Sequence, residues 1–218
     1  MDKSFSYLIS PSISKLREFS PKLKIAVLAS GDGSNFQELV NLSKSNNFDI
    51  DIRILITNNS NAGCILKAKK SNISYKIIKT ADYENKELFE DEIISTIKDH
   101  NVELIVMAGW MKIMSPKFVN SFNNKIINIH PSLLPSFKGN NAIKEAILSG
   151  SKITGCSVHF VAPEVDSGSL IMQAALSISK KDNIEAITKK IHLLEHKILP
   201  LSISHVGYLI RNSIKGND

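Results

Sequence analysis

From Lys24 onward, short apolar runs alternate with longer amphipathic segments, and this alternation restricts the possible folds more than any other feature of the chain. The apolar runs of the first half are Ile25 to Ala29, Ile52 to Ile56, Tyr75 to Ile78 and Leu104 to Ala108. Helix-like stretches lie between them, at Asn35 and beyond, Ala62 to Lys70 and Glu84 to Lys98. Continuous apolar strands that alternate with helices are typical of βαβ units. We therefore predict an α/β fold with a doubly wound, mostly parallel, twisted sheet.

The second half follows a different pattern. Two apolar runs, Thr154 to Val161 and Leu170 to Ile178, are joined by the short polar link from Ala162 to Ser169. Because parallel neighbours need a longer crossover, this link predicts an antiparallel pair that extends the sheet. A long C-terminal helix is predicted from Asp182, whose side chain can cap the helix N-terminus, through Pro200 and beyond.

Length and composition fit one globular domain, which we assign to residues 23–218. The chain has 218 residues, of which 43% are apolar and 22% charged, so a sizeable core is available. Residues 1–22 are rich in serine, contain Pro11 and Pro21, and have no apolar run long enough for a signal peptide. We expect them to form a flexible or loosely docked extension.

Charge and cysteine content restrict the cellular compartment and the classes of binding partner that we expect. The net charge of +6 comes from lysines that are scattered along the chain, so we predict no nucleic-acid partner, although a phosphate-bearing substrate would be attracted. Apolar runs long enough to span a membrane are absent from the sequence. Cys64 and Cys156 lie far apart, without metal-binding or redox spacing, which favours a reducing compartment, here the cytoplasm.

A glycine-rich loop follows the first predicted strand of the domain and opens a helix. Its sequence is Ser30-Gly31-Asp32-Gly33-Ser34-Asn35. Small residues let the backbone approach a ligand, and the free amides of a helix N-terminus favour a phosphate. The loop lacks the third glycine of a dinucleotide fingerprint and the lysine of a P-loop. A phosphate cradle and a bare tight turn therefore both remain open.

A second candidate site lies in the segment Asn128-Ile129-His130-Pro131, at the end of a probable strand. Asn128 and His130 are two residues apart, so their side chains project from the same face. In an open α/β sheet, ligands bind at the carboxyl ends of the strands. An amide donor beside an imidazole suits acyl transfer, because the amide can bind a developing oxyanion and the imidazole can move a proton. The alternative is a structural pair that satisfies loop backbone groups.

Further residues connect these two segments with a known family. The pattern consists, in order, of Asn128 to Pro135, Phe137, Gly139, Ala142, Gly155 to Val161, and Asp166-Ser167-Gly168. With these residues the chain resembles, from about Lys24 to about Arg211, the formyltransferase superfamily that uses 10-formyltetrahydrofolate. The loop Gly31-x-Gly33-Ser34-Asn35 narrows the resemblance to the phosphoribosylglycinamide formyltransferase branch.

The resemblance implies a Rossmann-like formyltransferase domain. Its reaction would transfer a formyl group from 10-formyltetrahydrofolate to the amine of glycinamide ribonucleotide, in purine (IMP) biosynthesis, by direct attack through a tetrahedral intermediate. The family's catalytic trio matches Asn128, His130 and Asp166. The first two would stabilise the oxyanion, and Asp166 would orient or charge His130. The implied substrates are small molecules, no metal takes part, and the protein would be a monomer or weak homodimer.

The resemblance also implies two binding regions. The ribonucleotide phosphate would lie on Gly33, Ser34 and Asn35, and Glu195 would contact its ribose and amine side. The folate would be bound by Lys86, Met111, Lys112, Ile113, Met114, Asn128, Ala162, Pro163, Glu164, Val165 and Asp166. Lys86 and Lys112 stand where related enzymes often have arginine, and lysine cannot make the same two-pronged contact with a carboxylate.

Other interpretations compete with this one. His192-Leu193-Leu194-Glu195-His196 spells an inverted zincin motif, which would suggest a zinc peptidase. Methionyl-tRNA formyltransferases and formyltetrahydrofolate deformylases share the superfamily pattern, but the length of this chain disfavours both. A non-catalytic nucleotide-binding module would keep the phosphate loop only. His159 lies in mid-strand within an apolar run, and we expect it to be a packed core histidine.

Overall fold

The structure, a computed structural model, describes residues 5–13 and 15–215 and contains one eight-stranded sheet. The strands are β1 (Tyr7–Ser10), β2 (Leu23–Leu28), β3 (Ile50–Thr57), β4 (Tyr75–Ile77), β5 (Leu104–Met107), β6 (Ile126–His130), β7 (Ile153–Phe160) and β8 (Leu170–Ser177). Their order across the sheet is β1-β8-β7-β6-β5-β2-β3-β4.

The central strands β2 to β6 pair in parallel, whereas β7, β8 and β1 pair antiparallel to their neighbours. The chain order therefore reverses at β2, which has β5 on one side and β3 on the other. These features confirm the predicted α/β fold and its antiparallel extension. They also place the carboxyl ends of β2, β5 and β6 next to one another, where an open sheet binds its ligands.

Six helices cover the two faces of the sheet. They are α1 (Ser34–Lys44), α2 (Gly63–Ser71), α3 (Lys86–Asp99), α4 (Pro116–Asn120), α5 (Ala142–Leu148) and α6 (Ile184–Lys215). One core cluster joins α1, α2, α5 and α6 to the sheet, and a second joins α3 and α4 to its other face. Strand β2 serves both clusters, because Ile25 and Val27 face one and Ala26 and Leu28 face the other. No helix within the described residues is long and apolar enough to cross a membrane.

The long C-terminal helix is present, but its predicted cap is wrong. Helix α6 runs through Pro200 without a break. Its first turn is capped by Asn183, whose side-chain oxygen accepts a hydrogen bond from Ala186 N at 2.8 Å. The carboxylate of Asp182 instead accepts hydrogen bonds from Lys190 Nζ at 2.7 and 2.8 Å and from the amide of Ser179 at 2.9 Å.

The described part of the N-terminal segment, for which a flexible or loosely docked extension was expected, makes defined contacts with the rest of the domain. Strand β1 pairs with β8 over four residues, from Tyr7 opposite Leu176 to Ser10 opposite Gln173. Further along, Arg17 N donates a hydrogen bond to Ser204 Oγ on α6 at 2.7 Å. The described part of this segment is therefore bound to the sheet edge and to α6. The sequence of β1 does not predict its pairing with β8, because the strand has only four residues and most of them are exposed.

Phe19 is the main apolar anchor of this segment. Its side chain is only 6% exposed in the core cluster that contains α6, and the Arg211 guanidinium lies 5.2 Å from its ring centroid. We expect Phe19→Ala to lower the free energy of unfolding by about 3 kcal/mol, measured by urea denaturation, since a buried ring is lost and a cavity remains. Leu8→Ala is the control, because Leu8 is 68% exposed and its change should stay below about 1 kcal/mol. Equal effects of the two substitutions would mean that the segment is not packed as described.

Candidate active site

A cavity of about 540 Å³ opens at the carboxyl ends of β2, β5 and β6. Its size is within the usual range for small-molecule sites. Three loops contribute most of its lining: the glycine-rich loop after β2, the loop after β5, and the link between β7 and β8. The cavity thus reaches from α1 and α6 on one face of the sheet toward the α3 and α4 side on the other.

Asn128, His130 and Asp166 all line this cavity. Asn128 and His130 are the third and the last residue of β6, and both line the cavity together with Asp166. His130 Nδ1 lies 3.4 Å from Asp166 Oδ2, and His130 Nε2 donates a hydrogen bond to the carbonyl oxygen of Phe137 at 2.8 Å. The imidazole is 5% exposed and held at both nitrogens. The structure therefore brings together the three residues that the resemblance singled out.

His159 is buried, as expected for a packed histidine, but it also belongs to this cluster, which the sequence did not predict. It lines the cavity, and its Nε2 atom lies 3.2 Å from Asn128 Nδ2 and 3.5 Å from Asp166 Oδ1. Its Nδ1 donates to the carbonyl oxygen of Phe160 at 2.8 Å. The Nε2 atom of His159 thus lies between the side-chain amide of Asn128 and the carboxylate of Asp166. The antiparallel register of β6 and β7, which pairs Asn128 with His159, creates this contact.

Asp166 is held in an ionised state. Burial acts to raise the pKa of its carboxyl, but the hydrogen bond with His159, the bond from the Gly139 amide and the charges of His130 and His159 outweigh burial and lower the pKa to about 2. The Gly139 amide donates to Asp166 Oδ2 at 2.9 Å. The Asp166 backbone has a φ of 47°, which is uncommon outside glycine and fixes the direction of the side chain.

The glycine-rich loop presents the uncapped N-terminus of α1. Gly33, with a φ of 73°, occupies the N-cap position, and in the described part of the chain no side chain accepts from the first helical amides. A side chain at this position would meet Cys64 Cβ at 2.6 Å, so the turn requires glycine. Free amides and the helix dipole together form an anion site. Ser34 and Asn35 follow in the first turn and line the cavity.

Glu195 of α6 faces the same region. Its carboxylate is 5% exposed and accepts a hydrogen bond from Asn35 Nδ2 at 2.8 Å. Burial raises the pKa of this carboxyl, although the Asn35 hydrogen bond and the His192 charge act in the opposite direction. The Oδ1 atom of Asn35 is buried and has no hydrogen-bond partner within residues 5–13 and 15–215. Because this oxygen is buried, a donor group of a ligand can reach it only when the Asn35 side chain moves.

The loop after β5 provides an apolar wall. Met111 N donates to Ser30 Oγ at 3.0 Å, and the Trp110 indole donates to Met114 Sδ at 3.2 Å, so the loop is fixed at both ends. Met111 and Ile113 are 59% and 63% exposed and line the cavity, as do Lys112 and Met114. The link between β7 and β8 contributes the facing wall, with Ala162, Pro163, Glu164 and Val165. Trp110 was not predicted from the sequence.

Lys86 is the one predicted site residue that does not line the cavity. It is the first residue of α3, and its ammonium group lies 3.7 Å from the buried carboxylate of Glu90. Glu90 in turn accepts a hydrogen bond from the amide of Ser115 at 2.7 Å and holds the end of the loop after β5. The structure therefore places Lys86 in an ion pair within α3, and its role in folate binding stays a prediction.

The inverted zincin pattern on α6 does not form a metal centre among the described residues. No group of three histidine, cysteine or carboxylate side chains with metal-binding geometry is present there. His192 and Glu195 line the cavity, whereas His196 does not. The Glu195 carboxylate accepts a hydrogen bond from Asn35, so it is not directed at the two histidines of the pattern as a metal ligand would be.

Comparison with known proteins assigns the class. Residues 23–203 match the model of the formyl transferase family, and this match covers most of the chain. The chain therefore belongs to the formyl transferase family. Within this family, it is 40% identical over 183 residues to the phosphoribosylglycinamide formyltransferase of Bacillus subtilis, covering 84% of this chain and 94% of that protein.

Other relatives are much longer or have known structures. The trifunctional purine biosynthetic protein adenosine-3 of Homo sapiens is 38% identical over 186 residues, which are 85% of this chain but only 18% of that protein. For the corresponding protein of Chironomus tentans the share is 14%. Among solved structures, glycinamide ribonucleotide transformylase 1 from Symbiobacterium toebii has a TM-score of 0.84 at 30% identity, with 90% and 93% of the two chains covered. The phosphoribosylglycinamide formyltransferase from Campylobacter jejuni has a TM-score of 0.77 at 40% identity, with 84% and 97% covered.

Proposed function

We propose that this protein transfers the formyl group of 10-formyltetrahydrofolate to the amine of glycinamide ribonucleotide, a step of purine biosynthesis. The observation that carries the proposal is the position of Asn128, His130 and Asp166 in one cavity, between an anion site and an apolar wall. An acyl transfer between two large substrates needs such an arrangement, with both partners held on either side of the catalytic groups.

The ribonucleotide fits the side of the cavity formed by α1 and α6. Its phosphate would accept hydrogen bonds from the first amides of α1, at Gly33, Ser34 and Asn35, which no side chain of the described residues caps. The Glu195 carboxylate, and Asn35 Oδ1 once that side chain moves, supply acceptors for hydroxyl and amine groups nearby. Matching buried acceptors to ligand donors gives specificity, since a ligand without those donors would leave them unpaired.

The folate fits the opposite side. Met111 to Met114 and Ala162 to Val165 form facing walls in which apolar side chains and backbone groups predominate. A flat heteroaromatic ring needs this combination of apolar contact and a few hydrogen-bonding groups. Lys112 is the cationic side chain in these walls and suits the carboxylate tail of the folate.

The chemistry requires no covalent enzyme intermediate. The amine nitrogen attacks the formyl carbon, and the carbonyl oxygen becomes an oxyanion that Asn128 Nδ2 and the His130 imidazole bind. When the intermediate collapses, the bond from carbon to folate N10 breaks, N10 gains a proton and the attacking nitrogen loses one. His130 moves the proton, and the ionised Asp166 orients the imidazole through Nδ1. The Nε2–H group, now bonded to Phe137 O, must turn from this carbonyl to the formyl oxygen.

A turnover assay tests the proposal directly. Purified protein is mixed with glycinamide ribonucleotide and 10-formyltetrahydrofolate, and the deformylated folate is followed by absorbance. Parallel reactions replace the donor with formate plus ATP, or the acceptor with initiator tRNA. We expect product with the first pair and none with the alternatives. Failure with the first pair would disprove the proposed substrates.

A further inference from the structure

An ion pair lies directly behind the glycine-rich loop. Lys67 of α2 donates from Nζ to Asp32 Oδ2 at 2.6 Å and to the carbonyl oxygen of Asp32, also at 2.6 Å. The Lys67 side chain is 23% exposed and that of Asp32 is 81% exposed. Asp32 lines the cavity next to Gly33, Ser34 and Asn35. The ammonium group of Lys67 thus contacts both the side-chain carboxylate and the backbone carbonyl of Asp32.

The loop packs so closely on α2 that this contact is built into the site. A Cβ atom at Gly63 would clash with the Asp32 carboxylate and lie 3.2 Å from Asp32 Cα, so a side chain at the start of α2 would push Asp32 aside. The Cys64 amide also donates to the carbonyl oxygen of Gly31 at 3.3 Å.

This position creates an electrostatic conflict for an anion site. Asp32 is the one acidic residue in the sequence from Ser30 to Phe36. An unpaired carboxylate beside the first amides of α1 would repel a phosphate dianion and cancel part of the helix dipole. We infer that Lys67 is a specificity-determining residue, because it neutralises the Asp32 carboxylate beside the site that accepts a dianionic phosphate ester. This inference rests on the phosphate position in the proposed function.

Three variants separate charge from shape. Lys67→Met keeps the aliphatic stem and removes the ammonium group, Asp32→Asn removes the carboxylate charge, and the double variant removes both. We expect Lys67→Met to raise KM for glycinamide ribonucleotide by about tenfold in low salt, with kcat and KM for the folate changed less than about twofold. Asp32→Asn should lower KM for the ribonucleotide, and the double variant should return it to within about threefold of the wild type. Added salt should reduce the Lys67→Met effect.

Two results would overturn the inference. One is an unchanged KM for the ribonucleotide in Lys67→Met. The other is a double variant as weak as Lys67→Met, which would mean that Lys67 supports the shape of the loop and not its charge. The same four proteins are titrated with ribose 5-phosphate and followed by the amide NMR signals of Gly33 and Ser34. If the wild type fails to turn over the ribonucleotide, the proposed function is wrong, but this titration still tests the inference. Equal affinities of the four proteins for ribose 5-phosphate refute it. Weaker binding by Lys67→Met, tighter binding by Asp32→Asn and near wild-type binding by the double variant support it.

Discussion

His130→Ala lowers kcat/KM for formyl transfer by about 10²- to 10⁴-fold, the usual contribution of a positioned acid or base. The imidazole faces Asp166 through Nδ1 and carries its Nε2–H on the other side of the ring, now directed to Phe137 O. Steady-state kinetics with both substrates measures the loss, and circular dichroism checks that the variant is folded. A decrease of less than tenfold would contradict the role assigned to His130.

The division of the loss between kcat and KM tests a structural alternative. Removing the imidazole also removes the hydrogen bond to Phe137 O and can loosen the loop after β6. A chemical role lowers kcat and leaves both KM values near those of the wild type, whereas a loosened loop raises KM. His100→Ala is the matched control, because His100 lies at the end of α3, bonded to Thr96 O at 2.7 Å and away from the cavity. It should retain full activity.

The parallel half of the sheet could be predicted because its strands are buried on both faces. Strands such as β2 and β5 consist almost entirely of buried residues, which leaves continuous apolar runs in the sequence. Strand β1 has no such signal, since its four residues are mostly exposed. It exists because residues from the far end of the chain form the edge of β8, and local sequence contains no information about that pairing.

The candidate site shows the same division. Asn128 and His130 could be identified because two residues at alternate positions of one strand must share a face. His159 could not, because its contact with Asn128 depends on the register between β6 and β7, including the irregularity at Val158 and His159 where β7 meets β8. Lys86 does not line the cavity, because its ammonium group lies beside the Glu90 carboxylate, and its predicted role in folate binding stays a prediction. Sequence position alone does not fix the direction of a long side chain.

The two histidines around Asp166 give that carboxylate two functions. Its carboxylate lies 3.4 Å from His130 Nδ1, where it can orient the proposed acid, and 3.5 Å from His159 Nε2, an atom that also lies 3.2 Å from the Asn128 amide. Loss of its charge should therefore disturb both oxyanion donors at once. We expect Asp166→Asn to lower kcat/KM by about 10²-fold or more, with most of the loss in kcat. A variant that keeps more than a tenth of the wild-type activity would show that the charge is not needed.

Asp166→Asn also has a predicted pH signature in stability. Folding lowers the pKa of Asp166 from 3.8 to about 2, so the ionised carboxylate stabilises the folded state fully above pH 4, and this stabilisation is lost as the pH falls from about 4 to about 2. The shift corresponds to roughly 2 kcal/mol at neutral pH. Urea denaturation should show that Asp166→Asn is less stable than the wild type by about this amount at pH 7, and that the difference disappears near pH 2.

Asp51→Asn is the control: its carboxylate is 42% exposed, so its free energy of unfolding should differ from that of the wild type by less than about 1 kcal/mol at either pH. A difference for Asp166→Asn that persists at pH 2 would mean that shape, and not charge, explains the loss, and the orienting role of the ionised Asp166 would then be wrong.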